Sequence, residues 1–491
     1  AHGARDDAEA LIRYMVVDLQ KGLKPLGRID LLEGVVERVN RYYRATAGVE
    51  IDDARRRSQA AAFALVGELQ MLHGQLDQAA NAYSKALELR GALNAQDPSN
   101  RVAAQEYAAS HLDQAAVRRK KGEAALAKES VSQALVLLNA FADDAAGYPE
   151  HLMQSSRALL VEGALTEEAG DLDAAGKAYE TAVAKRRALQ AAGPDESRWA
   201  LALAQALDRQ GRIHHERGQL GKASERYQEA LEIRRGLVSQ HPNNLDWVHG
   251  VGASYTRIGD ALMDQGQRDE AARAYEDALE RLETVSKENP SNLVWRRDVA
   301  SGHHRMGDIK TDPKAAETDF DAAVHILEAL VQSHEANTDW RRDLSVMRSR
   351  LGDMQLSLGR LEAARMTHEK ALVDAKKLLA LNPENTIWQH DVALKFISIG
   401  IIAQKMDERD AAERAWSRAQ EILGQLSTKE PSNAALKRDA RTVERLLSSA
   451  KVRPRGGAFE LAERRDAVDP YSANRLRVLL RLAAGCAGRG V

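Results

Sequence analysis

NPSNLVWRRD fills residues 289–298, and near-copies of it recur along the chain: HPNNLDWVHG at 241–250, HEANTDWRRD at 334–343, NPENTIWQHD at 382–391 and EPSNAALKRD at 430–439. The phrase reads as an elbow between two helices. Proline lacks the N–H that a continuing helix needs, and it pushes the residue before it out of the helical region. The Asn that follows is a good N-cap, because its short side chain can accept a backbone N–H of the first turn. Apolar residues then recur at helical spacing, as in Trp295, Val299 and Met306, or Trp388, Val392 and Ile399.

Working outward, each elbow is followed by a marker glycine: Gly67, Gly163, Gly211, Gly259, Gly307, Gly352 and Gly400, with Ala115 filling the one gap. The step is 48 residues, except for one of 45 between Gly307 and Gly352. A second marker keeps the same steps at Ala79, Ala127, Ala175, Ala223, Ala271, Ala316, Ala364 and Ala412. Four residues after it comes Tyr83, Tyr179, Tyr227, Tyr275, Phe320, His368 or Trp416, with Val131 the small exception. The short step comes from a trimmed turn, since GDIKTDPKAA (307–316) is three residues shorter than GDALMDQGQRDEA (259–271). Eight repeats result, each predicted as two helices, such as Leu245–Gln265 stopped by Gly266 and Arg268–Ser286 ended by Asn289-Pro290.

The pattern Gly259-Asp260, Gly266, Ala271, Tyr275, Ala278 resembles the tetratricopeptide repeat. The resemblance covers roughly residues 53–451. It departs in length, because that family repeats every 34 residues or so. The extra residues divide into about two helical turns on each helix, which keeps the same face toward the core. The resemblance implies an all-α solenoid of stacked antiparallel helix pairs, a tetratricopeptide-like superhelix. A single pair cannot bury its apolar stripe alone and must stack on a copy of itself. It also implies that the first helices line a concave face where protein or peptide partners dock.

Composition agrees with helix: aromatics are 4% and prolines number 11 in 491 residues. The net charge of −2 gives no global case for nucleic acid. Without its basic tail the chain is more acidic still, so no nucleic-acid partner is expected. The single Cys486 excludes an internal disulfide framework. No run approaches the ~20 apolar residues that a spanning helix needs. The organisation predicted is an N-terminal helical flank at 1–52, eight repeats at 53–435, a capping helix at 436–451 and a basic tail at 452–491, disordered or a short amphipathic helix.

The flank AEALIRYMVVDLQKGLKPLGRIDLLEGVVERVNRYY (8–43) resembles a segment ahead of long tetratricopeptide arrays in bacterial multidomain signalling and defence proteins. The matching residues are Ala8-Glu9, Asp18-Leu19, Leu23, Pro25, Gly27-Arg28 and Asp30-Leu31-Leu32. Such architectures place a TIR domain, a Ser/Thr kinase, a STAND-type ATPase or a protease-like domain upstream. The start AHGARDDAEA lacks a Met and an apolar signal core, and reads as a cut or processed piece of a longer protein. A cytoplasmic location is favoured, or an extracytoplasmic one if the parent chain has an upstream membrane helix. Membrane contact is expected only through the tail, at SANRLRVLLRLAA (472–484), or through a missing upstream segment.

No phosphate-binding loop, zinc-protease, nucleophile-elbow or paired-cysteine motif occurs. The pairs His214-His215 and His303-His304 point about 100° apart on a helix, which suits a shared metal poorly. No cofactor, metal site or catalytic residue is expected. Asp298, Asp343, Asp391 and Asp439 recur in identical places, which suits a brace at each elbow better than catalysis.

Counted from the marker glycine, positions −10, −6, −3, +1 and +4 share one helical face, while −12, −8 and −1 form the core stripe. The first face varies. Position −10 holds His249, Arg297, Arg342 and His390; position −3 holds Asp208, Thr256, His304 and Ser349; position +1 holds Arg212, Asp260, Asp308 and Asp353. These twelve are the expected partner-binding groove. The function expected is a scaffold or sensor that binds a protein or peptide there and regulates an effector outside the chain. The alternatives are a self-associating module, or a hydrolase or transferase site hidden between flank and array.

Overall fold

The structure, a computed structural model, describes residues 52–72, 75–141, 148–431 and 433–451, with isolated helical positions at 34, 38 and 41. The readings placed on the flank before residue 52 and on the tail from 452 lie outside the described residues. Among the described residues there are seventeen α-helices and no strands. They are α1 (Asp53–Leu72), α2 (Leu76–Gln96), α3 (Arg101–Lys120), α4 (Ala124–Asn139), α5 (Pro149–Glu168), α6 (Leu172–Ala192), α7 (Ser197–Glu216), α8 (Leu220–Gln240) and α9 (Leu245–Asp264). There follow α10 (Arg268–Glu288), α11 (Leu293–Ile309), α12 (Pro313–Ser333), α13 (Thr338–Ser357), α14 (Leu361–Leu381), α15 (Thr386–Lys405), α16 (Arg409–Lys429) and α17 (Ala434–Lys451). Odd-numbered helices through α15 are the first helices of the eight repeats, and even-numbered ones the second.

The elbow phrase does what its residues dictate. Asn244, Asn292, Asn337 and Asn385 each accept the backbone N–H of the Trp three residues on, at 3.1, 3.2, 3.0 and 3.1 Å. Asn100 caps α3 in the same way through Ala103, at 3.2 Å. Such caps stabilise a helix by about 1 kcal/mol each. The capped turn also seats the indole, so Trp247, Trp295 and Trp340 are buried. The first helix expected at Leu245–Gln265 ends one residue earlier, at Asp264, and the second, expected to end at Ser286, runs to Glu288, where Pro290 stops further winding. At the turn within the repeat, Gly266 has φ 78°, and Asp407 takes the equivalent place in the last repeat with φ 62°.

The marker glycine has a steric cause. A Cβ on Gly259 would lie 2.5 Å from Cε1 of Tyr275, and the same clash awaits Gly67 with Tyr83, Gly163 with Tyr179 and Gly211 with Tyr227. Phe320, His368 and Trp416 lie over Gly307, Gly352 and Gly400 in the same way. In seven of the eight repeats a large ring therefore packs directly on the bare backbone of the marker glycine and joins the two helices. The exception proves the geometry: where the marker is Ala115, the ring is replaced by Val131, and both are buried in one cluster with Leu112 and Leu138.

The chain divides at Arg281/Leu282 into two compact units, a boundary the repeat pattern does not announce. In the first unit consecutive helices from α1 to α9 pack in order, through clusters such as Val183, Leu203, Leu207 and Ala230. In the second unit the core runs through Phe320, Leu327, Leu344 and Leu351. It continues through Ile397, Ile401, Trp416 and Leu423 to α17, which buries Leu436, Val443 and Leu447. The core stripe Trp295, Val299, Met306 is buried as its spacing requires.

Candidate functional site

The first helices turn their Trp–Gly stripe inward, so the opposite stripe carries the polar side chains. In the first unit these form rungs between consecutive repeats. Arg157 reaches back to Asp113 at 2.5 Å, Arg212 to Glu167 at 2.5 Å, and Arg119 reaches forward to Glu168 at 2.5 Å. Arg257 meets Asp208 at 3.5 Å, and His215 meets Asp264 at 2.5 Å. Tyr179, the ring lying on Gly163, donates its hydroxyl to Glu167 at 2.8 Å. Burial and that carboxylate together push its phenol well above the usual range.

In the second unit a ladder runs along the elbows. Arg297 donates to Asp343 at 2.7 Å, Arg342 to Asp391 at 2.8 Å, and His390 pairs with Asp439 at 2.8 Å. The recurrent Asp is thus the brace its placement suggested, with its cation supplied by the preceding repeat. Burial works against the charged forms of Arg297 and Arg342, but the bonded aspartates outweigh it and hold both protonated. The trimmed repeat has its own cluster: Asp319 meets His303 at 3.0 Å and also Lys310, while His303 lies 3.5 Å from Glu283.

The twelve predicted groove residues divide. Arg212, Arg297 and Arg342 keep 41%, 42% and 43% of their side chains exposed while paired. His390 and Asp308 remain partly accessible, with Asp308 3.1 Å from His304 and 3.9 Å from Arg350. Burial tends to raise the Asp308 carboxyl, but His304 and Arg350 more than reverse this and hold it below the ordinary value. Thr256 spends its hydroxyl on the Gly252 carbonyl at 3.2 Å, and Asp260 accepts from Tyr275 at 2.8 Å. His249 is half-buried on α9.

Three of the twelve do not line an accessible face and are corrected here. Asp208 is buried against Arg234, at 2.6 Å. Ser349 is fully buried and bonds the Ser345 carbonyl, and Asp353 is buried 3.1 Å from His368. In the last pair His368 stands where four other repeats have Tyr, and it faces the Asp353 carboxylate.

Sequence reasoning missed the row at −2. Arg209, Arg257, Arg305 and Arg350 stand there in four consecutive repeats. Recurrence at the repeat period was the available signal, and it was read only for the neighbouring rows. A pocket of about 770 Å³ in the first unit is lined by Gly176, Val183, Ile213 and Arg217, among others. One of about 620 Å³ in the second unit is lined by Val331, Leu344, Met366 and Lys370, among others. Among the described residues no group of His, Cys, Asp or Glu is placed to hold a metal, and no helix is long and apolar enough to cross a membrane.

The tetratricopeptide repeat family model matches residues 251–291. No curated protein matches the chain. Among solved structures, the apo form of RapI is 13% identical, with 80% of this chain and 97% of that one covered and a TM-score of 0.49. BtubC from P. vanneervenii is 19% identical over 60% of this chain and 99% of its own, with a TM-score of 0.41. A Rap protein complexed with Competence and Sporulation Factor is 14% identical over 80% of this chain and all of its own, with a TM-score of 0.42.

Proposed function

We propose that this stack of tetratricopeptide-type helix pairs is a protein-interaction scaffold, and that the polar faces of its first helices bind a protein or peptide segment. One observation carries the reading. Each first helix spends one stripe on the core, yet the other keeps guanidinium groups such as Arg297 and Arg342 half exposed in ion pairs. Exposed pairs of this kind are worth about 0–1 kcal/mol. A ligand carboxylate can therefore share or replace a partner at small cost, and the charged row can adapt to an extended chain.

The test is capture from a lysate of the source organism with three immobilised proteins. These are wild type, Arg297→Gln/Arg342→Gln, and an outer-face control, Lys177→Gln/Lys370→Gln. Loss of a captured species only in the first variant, with unchanged melting, supports the reading. Equal capture by all three refutes it.

The reading extends to regulation of an effector domain outside these residues, in a bacterial signalling or defence setting. The resemblance carried by Pro25, Gly27-Arg28 and Asp30-Leu31-Leu32 supports that extension. Sequencing the parent gene upstream of Ala1 tests it, and an upstream region without an effector domain counts against it.

A further inference from the structure

In the second unit the second helices expose the same register, and one of them is out of character. Two, nine and seventeen residues after the marker alanine, α12 carries Thr318, His325 and Ser333, and α16 carries Arg414, Glu421 and Lys429. All six are exposed. At the same places α14 carries Met366, Val373 and Leu381, which are 58%, 52% and 67% exposed. Single apolar side chains on a surface need no explanation, but a row of them on one helix marks an interaction site. The row also runs into a cavity of about 620 Å³, which Met366 and Val373 line together with the buried Val331 and Leu344.

The charges at the two ends of the row select what fits it. Glu362 stands four residues before Met366, and Lys377 stands four residues after Val373; both are exposed. Steps of 4, 7 and 4 keep the four side chains on one helical face. Turned end for end, the pattern is its own complement, with Lys in place of Glu and Val in place of Met. A second α14 crossing antiparallel, midway between Met366 and Val373, therefore sets Met366 against Val373 of the second copy and Glu362 against Lys377 of the second copy. The symmetry makes each contact twice, as an isologous interface between identical chains requires. A parallel crossing would set Glu against Glu and Lys against Lys.

We propose that the exposed face of α14 is a homodimer contact, in which a second copy of this chain docks antiparallel through Glu362, Met366, Val373 and Lys377. This goes beyond the scaffold reading and does not depend on it, because no residue of a first helix takes part. Glu362 already bonds Arg365 at 2.9 Å, an exposed pair that a second cation can share at small cost. Methionine is unbranched and flexible, so the Met366 side chain of the second copy can turn into the cavity beside Val373. One crossing of two helices buries less than the roughly 1,200 Å² of a standard interface, so the dimer is a transient one.

The test is sedimentation equilibrium of the full chain, loaded from about 1 µM to about 200 µM. Wild type shows a monomer–dimer equilibrium. Met366→Lys and Val373→Glu each weaken it by about tenfold or more, because a charge now faces an apolar side chain at both symmetric contacts. An equimolar mixture of the two variants regains association. In the mixed dimer the new ammonium of one chain meets the new carboxylate of the other, and the second contact keeps its native Met and Val. Arg414→Glu, at the same register of α16, changes nothing. The substituted positions are exposed, so the melting temperature stays put and lost folding does not imitate lost association. A wild type that is monomeric throughout overturns the proposal and leaves the row to a different protein. So does a dimer that neither variant weakens, or a mixture that fails to associate. Capture by Arg297→Gln/Arg342→Gln is read separately, so this contact and the scaffold reading can each fall alone.

Discussion

Replacing Arg186 by Met should make the protein more stable. Arg186 is 4% exposed on α6, and its bonds go to the Ser156 hydroxyl at 3.1 Å and the Ala202 carbonyl. No carboxylate among the described residues meets it. Burial, and then the charge of Arg157, lower its pKa from 12.5 to about 10. At 1.36 kcal/mol per unit, keeping this group charged inside the fold costs roughly 3 kcal/mol. For a base whose folded pKa is depressed, that cost is fully present below about pH 10 and is relieved only above it. Met carries no such cost and keeps most of the length. Its removal of the guanidinium strands nothing: Ser156 also donates to the Met153 carbonyl at 2.8 Å, and Ala202 lies inside the α7 ladder. Other repeats use Leu138, Leu327 and Leu423 at this register, all buried. Allowing for two lost bonds and imperfect packing, a gain of about 1–2 kcal/mol is expected. Arg234, at the same register one repeat on, gives the opposite sign. It bonds Asp208 and Ser254 at 2.6 Å each, and Arg234→Met strands a buried carboxylate that Arg257 reaches only at 3.5 Å. A loss of about 3 kcal/mol follows. Urea unfolding followed by circular dichroism reads both, and native-state hydrogen exchange in α6 to α8 localises them, since repeat arrays can open in parts. If Arg186→Met destabilises, or if the two variants behave alike, the charge argument is wrong.

Two other outcomes follow from the same geometry. Gly259→Ala puts a Cβ 2.5 Å from the Tyr275 ring and should cost about 1–3 kcal/mol. The double variant Gly259→Ala/Tyr275→Val recreates the Ala115/Val131 pair and should cost less than the sum of the singles. A coupling energy under about 0.5 kcal/mol in a denaturation cycle would deny the contact. Acid should weaken the trimmed repeat. Burial raises the Asp319 carboxyl, but His303 and Lys310 outweigh it and hold it below its ordinary 3.8. The stability it gives is complete above about pH 4 and is lost as pH falls through the lower folded value. Asp319→Asn should therefore flatten the fall in unfolding free energy below pH 4, and an unchanged slope excludes the pair.

What the sequence disclosed was whatever a residue decides with its neighbours. The Asn–Trp elbow, the marker glycine and its aromatic, and the core stripe through Val299 and Met306 were legible because capping, ring packing and helical period act within one repeat. The braces were legible as positions and not as partners, because Arg342 finds its acid 49 residues downstream in Asp391. The groove face was blurred by treating each helix as an ideal wheel. Asp353 sits beside the bare Gly352, and its neighbour His368 draws it inward. The buried Arg186 and Arg234 could not be foreseen, since a basic residue on a second helix reads as solvated until the stacking partner is known.

The ion pairs between repeats contribute little stability singly, yet they recur at nearly every step of the described array. Their value lies in direction. Along the elbows of the second unit, Arg297, Arg342 and His390 each meet the Asp of the following repeat. A slipped stacking would set cation against cation, so the pairs fix spacing even where they add little energy. A row that holds this spacing lies between neighbouring first helices, which is the face proposed above for an extended ligand.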